Sequence, residues 1–293
     1  MRVNWLGGLL AALALSCSAA QGEEKPTVVT TFSILADLTQ RIAGDHARIL
    51  SLVGPNSDAH VFEPGAREWA ALADAKLLVA NGLGFEPWLQ RLEDASGFKG
   101  RLVIATDGIT PLEGNEELGP NDPHAFQDVA NAEIYASNIA KGLSEIDPDH
   151  AADFKASSGK LIAEMAALDK ELKAEFGAIP PERRRILTSH DAFRYFGKAY
   201  GIEFVAVQGI STEAEPTAAD LAKIVRQARD GHLSAIFLEN MADPRLAETV
   251  AQESKVKMGG ELYADALSEP GGPAPDYLSM MRYNAQQLLA AMQ

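Results

Sequence analysis

The residues from Asp147 to Gly177 constrain this chain more than any other stretch. Pro148 suits a first helical turn behind an Asp147 cap, and Phe154, Leu161, Met165, Leu168 and Leu172 then recur at helical spacing. Gly177 and Pro180-Pro181 stop the pattern. One helix of about 29 residues, rising about 1.5 Å per residue, would span roughly 43 Å. That is the height of a domain rather than of a layer. The helix is therefore expected to be a spine with a lobe on either side.

Both flanks alternate in pattern. Thr27 to Thr31 is β-branched and strand-like, Ile34 to Ile42 helical, Ala47 to Val53 extended, Arg67 to Ala75 helical and Leu77 to Ala80 a short buried strand. Phe85 to Ala95 reads as helix, Leu102 to Ala105 as strand and Asn131 to Glu145 as helix. After the spine the plan repeats with strands Arg185 to Ser189, Phe204 to Val207 and Ala235 to Leu238, and a weaker one near Glu261 to Tyr263. Helices Phe193 to Tyr200, Ala218 to Asp230, Arg245 to Ser254 and Tyr277 to Met292 lie between and after them. Such alternation predicts an α/β fold of two lobes, each a parallel sheet flanked by helices, joined by one long rigid helix. The expected layout is an N-terminal lobe over 21–146, the linker helix over 147–177 and a C-terminal lobe over 178–293. The segment Asp107 to Pro123 is the one long irregular insertion, rich in acids, glycine and proline, and is expected to be a surface loop or a flap.

The first twenty residues differ from the rest. Arg2, an apolar run from Trp5 to Leu15 and the small residues Ser18, Ala19 and Ala20 fit a secretory signal peptide over 1–20, cleaved after Ala20. The run is too short to anchor a chain in a bilayer. Lipid attachment at Cys17 competes with this reading, but Ala14-Leu15-Ser16-Cys17 lacks the usual leucine three places before the cysteine. Cys17 is the only cysteine, so disulfides and thiolate ligands are excluded from the mature chain. The formal charge is −15, and removal of 1–20 takes away one arginine and no acid. A surface this acidic argues against nucleic acid and anionic lipid as partners.

Three histidines share a setting. His60 (Asp58-Ala59-His60-Val61-Phe62-Glu63-Pro64), His124 (Asn121-Asp122-Pro123-His124) and His190 (Thr188-Ser189-His190-Asp191) each follow a strand, in loops marked by proline, serine or aspartate. Asp265 (Tyr263-Ala264-Asp265-Ala266) occupies the same kind of position. In open α/β sheets ligands bind beyond the carboxyl ends of strands. Two such residues on each side of the spine point to one metal ion in the cleft between the lobes. His46, His150 and His232 lack that setting and are expected to be non-ligands. Glu63, Asp122, Asp191 and Glu239 are candidates to accept a hydrogen bond from the second nitrogen of a ligating imidazole. Three neutral imidazoles imply an affinity that falls as pH drops through the histidine range near about 6.5.

The strings Phe32-Ser33-Ile34-Leu35-Ala36-Asp37, His60-Val61-Phe62-Glu63-Pro64, Asn81-Gly82-Leu83-Gly84-Phe85-Glu86-Pro87-Trp88 and Asp122-Pro123-His124-Ala125-Phe126 carry a resemblance. So do Ser189-His190-Asp191-Ala192-Phe193-Arg194-Tyr195-Phe196, Gly209-Ile210-Ser211-Thr212-Glu213-Ala214-Glu215-Pro216, Phe237-Leu238-Glu239-Asn240 and Tyr263-Ala264-Asp265-Ala266-Leu267. In this order, over nearly all of residues 27 to 293, the chain resembles the zinc and manganese solute-binding proteins of ABC importers. The resemblance implies two lobes on a rigid helix around one divalent ion, held at the positions of His60, His124, His190 and Asp265. It implies an ABC permease as partner, with a periplasmic metallochaperone as a candidate metal donor, and a monomer in the periplasm. Manganese members usually carry a carboxylate where this chain has His190. Three imidazoles and one carboxylate suit Zn2+, which accepts four N/O ligands, with manganese or iron as the alternative. Two features depart from the family: Ala59 offers no carboxylate beside His60, and the Asp107 to Pro123 segment holds no histidine. The runner-up readings are a secreted zinc hydrolase, against which His-Glu-x-x-His, Gly-x-Ser-x-Gly and P-loop motifs are all missing, and an adhesin.

Overall fold

The computed structural model describes residues 25–115, 119–209, 212–213, 217–231 and 233–293. The expected signal peptide, Cys17, His232 and parts of the 107–123 and 209–216 segments lie outside the described residues.

Val28, Val29 and Thr30 leave no surface exposed in β1 (Thr27–Thr30), and β3 (Leu77–Ala80) is buried along its whole length. Uninterrupted burial of this kind belongs to central strands covered on both faces. They are flanked by the half-exposed edge strands β2 (Arg48–Ser51) and β4 (Arg101–Ile104), giving the all-parallel order β2-β1-β3-β4. The connecting helices are α1 (Ser33–Ala43), α2 (Ala66–Ala73) and α3 (Leu89–Ser96), and α4 (Val129–Ile146) closes the lobe. Phe85, expected inside α3, instead ends a turn in which Gly82, Leu83 and Gly84 all have positive φ. A Cβ on Gly82 would come 2.5 Å from the Ile104 side chain, so this turn admits only glycine there.

The second sheet repeats the topology. Its strands β7 (Arg185–Thr188), β8 (Glu203–Ala206), β9 (Ala235–Glu239) and β10 (Met258–Leu262) are parallel in the order β10-β9-β7-β8. In each lobe the first strand thus sits between the second and the third. The helices here are α6 (Arg194–Tyr200), α7 (Ala218–Asp230), α8 (Pro244–Ser254) and α9 (Tyr277–Met292).

The spine α5 (Ala151–Gly177) runs 27 residues, so about 40 Å, after a single 3-10 turn over Pro148–His150. Phe154, Ser158, Leu161, Met165, Leu168, Leu172 and Phe176 form its buried stripe. The stripe packs on α1 and α4 of one lobe and on α6 and α9 of the other, so one apolar core runs through both. A smaller core lies between the second sheet and α7 and α8, around Leu187, Ile224, Ile236 and Val250. Asp147 does not cap the backbone: its Oδ2 lies 2.7 Å from His150 Nδ1. The His150 ring stacks on His46 at 4.0 Å, and both are half-buried at the start of the spine.

Part of the insertion expected to be irregular is an antiparallel hairpin, β5 (Glu113–Asn115) with β6 (Gly119–Asn121), in register Glu113 to Asn121. Its glycine, proline and asparagine have poor strand propensity, which hid it from pattern reading. Tertiary bonds from α6 hold it.

Leu168 is fully buried where the spine serves both lobes. Its replacement by Ala is expected to cost about 2–5 kcal/mol of unfolding free energy. The exposed Lys170→Ala should change stability by no more than about 0.5 kcal/mol. Urea denaturation measures both, and equal effects would remove the spine from the shared core.

Candidate metal centre

Each predicted ligand is delivered by a loop at the carboxyl end of a strand. His60 follows β2; its N–H donates to Asp58 Oδ1 at 2.8 Å, and Trp88 Nε1 donates to the Ala59 carbonyl at 2.7 Å. His124 follows the hairpin. Asn81 Nδ2 donates to the Pro123 carbonyl at 2.9 Å, and Asn81 Oδ1 accepts from Tyr135 at 2.6 Å. His190 follows β7, where Thr188 Oγ1 donates to its carbonyl at 2.9 Å. Asp265 follows β10, and Gln127 Nε2 reaches across from the first lobe to the Ala264 carbonyl at 2.7 Å.

The four side chains meet in one buried cluster, their donor atoms all within 4.8 Å of one another. His190 Nε2 lies 3.1 Å and His60 Nε2 3.3 Å from Asp265 Oδ2, and His124 Nε2 lies 3.6 Å from Oδ1. His60 and His124 face each other with their Nε2 atoms 3.2 Å apart. Asp265 Oδ1 is buried and lacks a hydrogen-bond partner. A carboxylate oxygen without a hydrogen-bond partner beside three converging imidazole nitrogens is a donor set that fits a cation.

Four supporting acids were expected, and they divide evenly. Asp122 Oδ1 accepts from the His124 backbone at 3.0 Å and pairs with Nδ1 at 2.9 Å. Glu239 pairs with His190 Nδ1 and accepts from its backbone N–H at 2.9 Å. With Nδ1 held in this way, each ring turns Nε2 to the centre. Glu63 and Asp191 do not meet a histidine ring. Glu63 lines a surface pocket with Trp69, Trp88 and Arg91, and Asp191 Oδ2 lies 3.8 Å from Arg194 Nε. Proximity in sequence misled here, because a side chain one or three places from a ligand in a loop can leave by another face.

Sequence reasoning missed other contributors. Asp58 anchors His60, Asn81 anchors the His124 loop, and the Phe85 ring packs edge-on to His60 at 4.7 Å and to His124 at 5.8 Å. Phe85 is placed by Glu86, a buried carboxylate that accepts from Thr31 at 2.6 Å and from the backbone of Asn81 at 2.7 Å and Gly82 at 3.2 Å. Burial raises the Glu86 pKa against these bonds.

Burial alone would lower the His124 pKa, but the charges and hydrogen bonds of Asp265 and Asp122 outweigh it and raise the value to about 9. At His190 burial is likewise overcome, by Glu239 and Asp265, and the pKa rises. Burial would push Asp265 up, yet His124 and His190 hold it well below the carboxylate range.

The sequence profile described as ZnuA, zinc-uptake complex component A, periplasmic, matches residues 28–291. The metal ABC transporter substrate-binding lipoprotein ScbA of Streptococcus cristatus is 34% identical over 289 residues, covering 96% of this chain and 93% of its own. The manganese ABC transporter substrate-binding lipoprotein PsaA of Streptococcus pneumoniae is 33% identical, covering 98% and 94%. The iron ABC transporter substrate-binding lipoprotein MtsA of Streptococcus pyogenes serotype M1 is also 33% identical, covering 97% and 96%. Among solved structures, the periplasmic zinc binding protein TroA of Treponema pallidum matches with a TM-score of 0.88 at 28% identity, covering 92% of this chain and 99% of its own. Fold and relatives together define the class: a substrate-binding protein of a metal ABC importer, with a membrane permease as partner and no enzymatic role. Within that class, the chain belongs to the zinc-uptake complex component A family.

The acids around His124 raise its pKa to about 9, so an incoming cation is expected to compete with protons above the ordinary histidine value of about 6.5. Affinity is expected to climb with pH through about 9 and to weaken steadily below it. For the metal-free fold the sign is opposite: this stabilisation is complete below about 6.5 and is lost as pH rises through the folded pKa. Calorimetry at pH 7.5 in buffers of different ionisation enthalpy should find about one or more protons released per ion. Zero release would contradict the arrangement.

Proposed function

We propose that this protein captures one Zn2+ with His60, His124, His190 and Asp265 and delivers it to the permease of an ABC importer. The observation that carries the reading is the convergence of these four donors from loops of both lobes into one buried cluster. Tetrahedral Zn2+, with bonds of about 2.0–2.1 Å, sets neighbouring donors about 3.3 Å apart. Three of the separations among His60, His190, His124 and Asp265 Oδ2, at 3.1, 3.2 and 3.3 Å, lie close to that length, and His124 Nε2 lies 3.6 Å from the other carboxylate oxygen.

The second reading is manganese or iron. The names of PsaA and MtsA favour it, and the unpartnered Asp265 Oδ1 would supply the extra oxygen that Mn2+ prefers. Affinity in vitro does not decide between them, since almost any N/O site binds Zn2+ above Mn2+. The deciding measurement is the metal content of protein isolated from its own compartment without added ions. Zinc at one per chain is expected, and manganese or iron in its place would overturn the choice. His190→Ala should weaken zinc binding by more than the roughly 10–100-fold that follows loss of an outer-shell partner. His46→Ala, in the half-buried stacked pair, should leave it unchanged. Equal losses would show that the wrong histidines were chosen.

The location that goes with this reading is the periplasm, as a monomer, with a periplasmic metallochaperone as a candidate donor. No helix among the described residues is long and apolar enough to cross a membrane. ScbA, PsaA and MtsA are named lipoproteins, which favours lipid attachment at Cys17 over cleavage after Ala20 more than the sequence pattern does. The intact mass of the mature chain separates the two. A soluble product beginning at Gln21 supports release, and a membrane-bound product beginning at a diacylglyceryl Cys17 supports anchoring.

A further inference from the structure

Arg194 opens α6, on the lobe opposite His124, with about a third of its side chain exposed. Its Nη1 donates to the Glu113 carbonyl at 2.7 Å and lies 3.4 Å from Asp122 Oδ2. Asp122 is fully buried, and its other oxygen is the one that holds His124. The neighbouring Tyr195 hydroxyl donates to the Asp122 carbonyl at 2.8 Å and accepts from Leu112 N–H at 2.9 Å. Two consecutive side chains of one lobe thus grip the hairpin of the other at both ends. Through Asp122 the grip extends to a candidate ligand.

We infer that Arg194 is a positioning residue: it pins Asp122 against His124 and so sets how fast the bound cation leaves. The inference rests on His124 being a ligand. A buried carboxylate needs partners for both oxygens. Without the guanidinium, Oδ2 loses its cation, the carboxylate gains freedom to turn, and the ring it orients loosens. Lysine is a partial substitute: one ammonium can meet the carbonyl and the carboxylate as Nη1 does, but it lacks the Nε that lies 3.8 Å from Asp191 Oδ2 and steadies the guanidinium plane.

The test is the dissociation rate of the ion from the full loaded chain, followed by stopped flow after addition of excess chelator. Zn2+ is the probe, or Mn2+ if that is the ion the isolated protein carries. Arg194→Ala is expected to speed release about tenfold, with Arg194→Lys in between. Asp122→Asn should also be fast, and adding Arg194→Ala to it should change the rate by no more than about twofold, because both act through one contact. A purely structural role would instead add its full factor on the Asp122→Asn background. An unchanged rate for Arg194→Ala, or full additivity, overturns the inference. Urea midpoints of the metal-free variants check folding; should Arg194→Ala fail to fold, Arg194→Gln and Arg194→Lys decide by the same criteria. His124→Ala separates the two layers of argument. If it binds as tightly as wild type, the ligand reading fails and the inference goes with it. If it abolishes binding while Arg194→Ala leaves release unchanged, only the inference fails.

Discussion

The arrangement depends on Asp265, a carboxylate removed entirely from water with three imidazole nitrogens within 3.6 Å of its oxygens. Burying a charge is costly unless it is paired. The carboxylate raises the pKa values of His124 and His190, and they in turn lower its own. A proton and a cation thus compete for the same nitrogens. Exchange of one for the other leaves the cluster compensated, which suits a protein that must both hold and surrender its cargo.

Nothing in one lobe alone could assemble this cluster. His60 and His124 come from loops around the first sheet, His190 and Asp265 from loops around the second, and the spine fixes the distance between them. Its buried stripe belongs to the cores of both lobes, so rotating one lobe against the other would expose apolar surface. Direct bonds add to this: Ser33 Oγ accepts from Leu267 N–H at 3.0 Å, Asp37 Oδ2 accepts from Tyr277 N–H at 2.9 Å, and Tyr277 donates to the Phe126 carbonyl at 2.7 Å. Motion that admits or frees a cation is then expected in loops and in the β5–β6 hairpin rather than at a wide hinge.

Much of the fold was legible because the signals were periodic and local. The stripe from Phe154 to Leu172, the buried runs of β1 and β3 and the alternation of strands with helices are all written in residue spacing. The four residues now clustered were legible as loop positions following strands. Less legible were elements held by distant partners. Glu113–Asn115 and Gly119–Asn121 pair as strands although their residues disfavour it, because Arg194 and Tyr195 fasten the flanking backbone. Likewise Asp122 and Glu239 reached the rings while Glu63 and Asp191 did not, and composition cannot tell these acids apart.

By itself, then, the sequence determined a two-lobed α/β chain on a long helix, the presence of a single cysteine, Cys17, and the residue types available to a cation. Hydrophobic periodicity and elementary donor chemistry suffice for that. Only the tertiary structure decided which acids orient His124 and His190, where Phe85 and Glu86 sit, and that a cation on α6 reaches the carboxylate behind His124. Those choices are made between residues dozens of positions apart, by side-chain directions that no local pattern encodes.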